Sequence, residues 1–284
     1  YKKSRGNPLF IKQVLQQLYD TGHISFDSAD NSWVWSLQDI QSMALPDTIA
    51  DITTHAIQLL PQDTQYLLHI SALFGPSFNT AYLLKLMDMD MVQCHLHLRL
   101  AEHKDLISCI SHDPYTTTVF SSDPSTHHQY QFNHDKIYQG FLHLPFTDKR
   151  QKTDFHLKIA RVLYDDFRSI EDSQLVFEIS RHYEHCLIDT LPSEERMNAV
   201  RMHLQAGELS QSQTAMDSAL HYFQQGIAIL PSCHWQEHYP TSYALYLGLA
   251  QVATLCTEFD TAEQAFDTLH KHASSDIDQA TIYL

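Results

Sequence analysis

Apolar residues return at helical spacing along most of the chain, interrupted in a few places by the shorter alternation of strands. In residues 8–20 (PLFIKQVLQQLYD), Leu9, Phe10, Val14, Leu15 and Leu18 fall on one stripe. Pro8 suits the first turn, where a missing amide proton costs no intrahelical bond, and Gly22 ends the helix. Ile24–Phe26 and Trp33–Leu37 flank the polar turn DSADN and predict a small hairpin. Pro46-Asp47 opens a further helix that runs to Leu60. Residues 62–74 (QDTQYLLHISALF) predict a helix offering Leu67, Leu68, Ile70, Ala72 and Leu73 to a core, and two more follow at 79–87 and 90–103. A short strand at 106–110, a polar stretch at 111–128 and a second strand at 129–132 come next. Three helices followed by two strands outline a winged helix, with the polar stretch as a mobile wing tip.

From His134 onward helical periodicity takes over, with helices expected at 134–143, 147–168, 173–188, 193–211, 215–230, 239–256 and 260–273. Ala219 and Phe223 are repeated by Ala262 and Phe266, 43 residues later. Small residues let paired helices approach and aromatics fill the space between pairs. That is the packing logic of tetratricopeptide-like repeats, whose usual period is about 34 residues.

Composition narrows the functional classes. The chain is 43% hydrophobic and 18% charged, a foldable balance, and only 7 glycines argue against a loop-rich or β-rich architecture. No apolar run approaches the roughly 20 residues a membrane span needs, and the start has no signal-peptide pattern. The first residue is Tyr1 and the last three, Ile282-Tyr283-Leu284, continue a helical pattern, so the expectation is a segment of a longer protein. A net charge of −16 opposes nucleic-acid binding, which depends on neutralising phosphates. Cys94, Cys109, Cys186, Cys233 and Cys256 lie far apart with no CxxC pair, as in a reduced, cytoplasmic protein.

Twenty histidines are a large number for a chain of 284 residues. His95-x-His97 places its side chains in different directions on a helix, whereas His182-x-x-His185 shares a face, beside Glu184 and Cys186. His127-His128 falls in the expected wing tip. None of these has the HExxH order or an evident third ligand, so they read as surface histidines and no metal site is expected. No base can be assigned to any cysteine for nucleophilic chemistry.

Two short motifs add to this picture. Gly6-Asn7-Pro8-Leu9-Phe10 stands at the start of a helix, and Phe132-Asn133-His134-Asp135 stands where the second wing strand meets the next helix. Read alone, each is also an ordinary helix start, with a proline in the first turn or a capping pair. Together, in this order and spacing, they resemble the signal-transducing ATPases of the STAND class within the AAA+ superfamily. There a GNPFF-like stretch opens the helical lid and an MHD-like triplet closes the winged-helix domain. The wider wording is similar to one branch, the large bacterial multi-sensor proteins that join a serine/threonine-kinase-like domain, an ATPase, a GAF domain and a histidine kinase. Residues 6–24, Trp33-Val34-Trp35, Leu45-Pro46-Asp47, Leu60 to Phe78, Phe132 to Leu144 and Leu204 to Pro231 carry that similarity.

The resemblance implies a mainly α chain in three parts: a helical lid with a small hairpin (1–60), a winged-helix domain (61–146) and TPR-like α-superhelical repeats (147–284). It further implies that Asn7 and Pro8 lie by the nucleotide, with Pro8 against the base or sugar. His134 would reach the β-phosphate of bound ADP, and Asp135 would orient that segment as a helix cap. Asn133 stands where the family has methionine. No GxxxxGK[ST] phosphate loop occurs, nor a strand ending in paired acids for magnesium. The expectation is therefore a regulatory scaffold without a complete catalytic site, poor at binding ATP and unable to hydrolyse it. ATP/ADP with magnesium would belong to the intact parent protein. Implied partners are an upstream ATPase core and downstream sensor and kinase domains of the same chain, with a protein partner on the repeats. A STAND-type transcription regulator and a plain interaction module are the alternative readings. One consequence is directly measurable. Protonating most of the 20 histidines nearly cancels the −16 charge, so turbidity at fixed protein concentration should peak near the sequence pI of 5.6 and clear above neutrality.

Overall fold

The computed structural model describes residues 6–42, 49–110, 128–146, 148–170, 173–187 and 190–282. Among these the chain is mainly α, and it divides into two compact units, Tyr1–Phe146 and Thr147–Leu284.

The first unit begins with α1 (Pro8–Asp20), the hairpin β1 (Ile24–Asp27) and β2 (Ser32–Trp35), α2 (Leu37–Ser42) and α3 (Ile49–Gln58). The hairpin pairs Ile24 with Trp35 and Asp27 with Ser32. Asn31 turns it with φ +48°, a left-handed conformation that asparagine tolerates, and the Asp27 carboxylate accepts from the Ala29 amide at 2.8 Å. Phe10 and Leu18 are buried, but Leu15, expected on the same stripe, is exposed, as are Trp33, Val34 and Trp35. One turn of helix separates Leu18 from Leu15, and the buried stripe is narrower than the apolar one. The helix expected from Pro46 is α3; residues 43–48 lie outside the described ones.

Next come α4 (Gln62–Phe74), β3 (Ser77–Asn79), α5 (Thr80–Leu86), α6 (Met91–His103), β4 (Ile107–Cys109), β5 (Gln129–Phe132) and α7 (Asp135–Leu142). Every residue of α4 from Leu67 to Phe74 is buried, so this helix is the axis of the unit, packed by α6, α7 and β3. Two wing strands were expected; the sheet has three, ordered β3-β5-β4, all antiparallel. The added strand is only three residues long, too short to show alternation in the sequence. It is fixed instead by aromatic contacts, with Phe78 stacked on Tyr130 (6.0 Å) and tilted against Phe132 (5.6 Å). Of the expected wing tip, residues 111–128, all but His128 lie outside the described residues.

The second unit is a helical array: α8 (Lys149–Ile170), α9 (Ser173–Glu184), α10 (Ser193–Ser212), α11 (Met216–Ala228), α12 (His234–Glu237), α13 (Tyr239–Leu255), α14 (Phe259–His272) and α15 (Asp276–Ile282). From α8 to α11 each helix packs chiefly on the next; α11 then packs on α13, and α13 on α14. The 43-residue repeat is structural. Thr214 and Thr257 both sit in the left-handed region (φ +61° and +62°) at the end of a helix. In both places the following amide reaches back five residues, Ala215 N–H to Ser210 O (2.9 Å) and Glu258 N–H to Ala253 O (2.8 Å). That bond closes a Schellman turn, so α10–α11 and α13–α14 are two copies of one helical hairpin. Ala219 and Ala262, at matching places in the second helix, are both buried.

Between the hairpins the Phe223 ring is gripped by two glycines. A Cβ at Gly207 of α10 would lie 2.5 Å from the ring, and so would one at Gly248 of α13. Gly248→Ala should therefore cost roughly 1–3 kcal/mol of stability through overpacking. Adding Phe223→Leu to that variant should recover part of the loss. Urea unfolding of the single and double variants checks this; a Gly248→Ala chain as stable as the parent would refute the close contact.

Candidate functional site

The two helix starts that the sequence singles out have defined local chemistry. Gly6 takes φ +81°, and Asn7 follows as the N-cap of α1, its Oδ1 accepting from the Phe10 amide at 3.1 Å. Pro8 occupies the first turn and is exposed, while Phe10 is buried and anchors the helix. At the second motif, Phe132 is buried against Phe141 (5.7 Å) and Tyr138 (5.8 Å). His134 follows as the N-cap of α7, its Nδ1 accepting from the Lys136 amide at 3.0 Å. The cap expected of Asp135 thus belongs to His134, because it is His134 that has the extended backbone (φ −157°, ψ 145°) a cap needs. Asp135 lies in the first turn, where its charge complements the helix dipole. An Nδ1 used as acceptor leaves the proton of the neutral His134 ring on Nε2, so the exposed imidazole presents a donor.

The two motifs are joined by residues that sequence reasoning did not single out. Asp105 turns the chain between α6 and β4 with φ +57°. One of its carboxylate oxygens pairs with Lys12 of α1 at 2.5 Å, and the other accepts from the Asn133 amide at 3.2 Å. Asn133 Nδ2 also reaches the carbonyls of Asp105 (3.0 Å) and Ile107 (3.3 Å). A second ion pair, Lys104 with Asp20 at 2.6 Å, ties the other end of α1 to the same corner. The helices opened at Pro8 and Asp135 also share α3 as a neighbour. Among the described residues, neither Asn7 nor Pro8 hydrogen-bonds His134 or Asp135 directly. Asn133 is therefore the residue that receives the connection from α1.

The histidines divide differently from the expected surface set. His182 is fully buried, and its Nδ1 lies 2.8 Å from Nδ1 of buried His156 on α8. The helical face that His182 and His185 share is turned toward α8, which a local pattern cannot show. His95 bonds the Met91 carbonyl and meets the ring of His128, and His97 bonds Thr64 Oγ1 at 2.8 Å. His127 lies outside the described residues. Among the described residues no group of three or more histidine, cysteine, aspartate or glutamate side chains is placed to hold a metal ion. The free cysteines are unactivated where burial acts on them: it pushes the Cys94 thiol up to about 11 and Cys186 to about 12. No described helix is long and apolar enough to cross a membrane.

Fold and site together define a mainly α, helical-repeat protein with two capped helix starts tied through one carboxylate. No family model matches the chain, and no solved structure matches it. Among curated proteins it is similar to hybrid signal transduction histidine kinase G of Dictyostelium discoideum, at 24% identity over 295 aligned residues. The alignment takes in 88% of this chain but only 8% of that protein, so the chain spans less than a tenth of its relative's length.

The caps can be weighed directly. His134→Ala should destabilise the chain by about 1 kcal/mol, the usual worth of an N-cap, while His134→Asp should keep most of that stability. Equal urea midpoints for the alanine variant and the parent would show that the cap contributes nothing.

Proposed function

We propose that this chain is a regulatory and scaffolding segment of a STAND-type signal-transduction ATPase linked to a multi-sensor histidine kinase, with no complete catalytic site of its own. The observation that carries the reading is the similarity along 88% of the chain to a hybrid signal transduction histidine kinase. The connectivity of the first unit supports it. The order α4-β3-α5-α6-β4-β5, with the sheet ordered β3-β5-β4, is the arrangement a winged helix uses. The preceding α1–α3 with their hairpin would be the ATPase lid.

In this reading α1 and α7 hold nucleotide supplied with its magnesium by an ATPase core outside this chain. Pro8 lies exposed at the end of a capped helix, suited to contact with a base or sugar. His134 offers Nε2–H to an ADP β-phosphate while Nδ1 stays bonded to the helix it caps. Asn7 and Asp135 hold those two starts in shape. Lys12, Asp105 and Asn133 would transmit the presence of nucleotide between the two motifs, so that closed and open states exchange as a population shift. The helical hairpins of the second unit would carry a protein partner.

His134→Asp separates the two duties of this residue, since it keeps a capping oxygen and removes the donor. In the intact parent protein, retention of ADP should fall at least about tenfold, the loss of one charge-assisted hydrogen bond, and basal signalling should rise. Unchanged ADP retention, measured by equilibrium binding or by nucleotide content after purification, would remove His134 from the mechanism.

A further inference from the structure

We propose that the buried hydrogen bond between His156 and His182 is an acid-opened latch, holding α8 against α9 at neutral pH and loosening α8 when His156 takes up a proton.

The geometry sets the protonation state. The two Nδ1 atoms are 2.8 Å apart, so one must donate and the other accept, and the bond exists only while a single proton lies between them. The Arg181 guanidinium, which can only donate, approaches Nε2 of His182 at 3.4 Å. His182 therefore keeps Nε2 bare and carries its proton on Nδ1, and His156 accepts there and carries its own proton on Nε2. That Nε2 is buried with no hydrogen-bond partner. A further proton on His156 Nδ1 would set two N–H groups against each other. A further proton on His182 Nε2 would leave that bond in place but would face Arg181.

The surroundings work in the same direction. Burial of His156 (4% exposed) and His182 (0%) opposes charge on either ring. The charged neighbours acting on them are Lys152 from α8 and Arg181 from α9, with the His185 ring 4.5 Å from that of His156. Burial first, and then these cations, lower His156 from 6.5 to about 3 and hold His182 well below the ordinary imidazole range. α10 directs Glu195 across to Arg161 of α8, and His203 to Glu184 of α9. A folded value below 6.5 means that the unfolded segment binds more protons as pH falls. The contribution of His156 is whole above 6.5 and drains away toward 3, and that of His182 falls in the same direction below 6.5.

Opening is confined to one side of α9. The Glu184 carboxylate at its end meets His221 of α11 at 3.0 Å and His203 of α10 at 3.7 Å. Burial works to raise the Glu184 carboxyl, but the two imidazoles outweigh it and hold Glu184 below its ordinary 4.5. This cluster therefore survives mild acid and weakens only as pH falls below 4.5. Mild acid undoes the α8 side and leaves the α10 and α11 side intact. Within this unit α9 is the principal neighbour of α8, so loss of the latch loosens α8 around His156, while the Arg161–Glu195 ion pair still ties its middle to α10.

Hydrogen exchange of the full 284-residue chain tests the latch, with rates corrected for the intrinsic effect of pH. Between about pH 7.5 and about pH 5.5, protection across α8 should fall at least tenfold, the effect of one suppressed histidine a unit below its free value. Protection across α10 and α11 should hold. In a double variant, His156→Asn with His182→Asn, the side-chain amides can re-form the bond without titrating, and α8 protection should no longer depend on pH. Unchanged α8 protection in the wild type, a parallel loss in α10 and α11, or the same pH response in a folded double variant would each overturn the proposal. Should the double variant not fold, imidazole nitrogen shifts of the wild type decide. Both rings must be neutral at neutral pH, and an imidazolium signal from either refutes the latch.

Discussion

The Phe223 ring occupies a slot that exists only because positions 207 and 248 carry no side chain. A helix pair normally separates by the thickness of its interfacial side chains. Here two glycines let α10 and α13 close on the same Cε1–Cζ end of one aromatic ring, and Gly226 admits Leu245, whose side chain a Cβ there would meet at 2.7 Å. The remaining contacts of the array follow from that approach. Met197, Val200, Ala219, Leu245, Val252 and Leu269 meet in one core. The Arg196 guanidinium comes near enough to bond the Ile229 and Leu230 carbonyls at the end of α11, at 2.6 and 3.1 Å. The last turn of one hairpin is thus closed by a cation from another helix, as the dipole favours.

Much of this was legible in the sequence because it depends on local periodicity. Ala219/Phe223 and Ala262/Phe266 announced the repeat, and its copies close with threonines in the same left-handed conformation. The copies differ where the environment differs: Phe223 is buried between glycines, whereas Phe266 is only partly covered. Threonine hid the turn itself, since a left-handed helix end is usually read from glycine or asparagine. The same holds for Asp105, whose conformation and double pairing have no local signature. The strand Ser77–Asn79 and the one-turn helix His234–Glu237 were too short to leave a period. The His156–His182 contact spans 26 residues and two helices, beyond the reach of any spacing rule applied to one helix.

The candidate site shows how a residue can satisfy both an ordinary and a functional reading. A capped helix start and a ligand-holding histidine compete as explanations only if they need the same atoms. At His134 they do not: Nδ1 serves the helix and Nε2 stays available as a donor. The cap fixes the ring orientation that a phosphate contact would require, much as a buried hydrogen bond fixes the tautomer of a metal-ligating histidine. Asn133 adds to this by pinning the chain one residue earlier through three acceptors at the α6–β4 corner. It also brings α1 into electrostatic contact with the second motif, through Lys12 and Asp105.

The abundance of histidine gains meaning only once the residues are sorted by surroundings. His134, His97 and His95 use a ring nitrogen to complete local hydrogen bonding. His221 and His203 lie beside the Glu184 carboxylate. His156 and His182 lie beside each other and beside cations, where a proton gained on His156 Nδ1 is a hydrogen bond lost. The last two arrangements sit on opposite sides of the single helix α9, and falling pH acts on the His156–His182 side before it reaches the Glu184 carboxylate. A uniform distribution of titrating groups would weaken the array everywhere at once, as in general acid unfolding. Segregation of the two kinds across one helix turns the same chemistry into a directional response, in which one neighbour is released because the other is held.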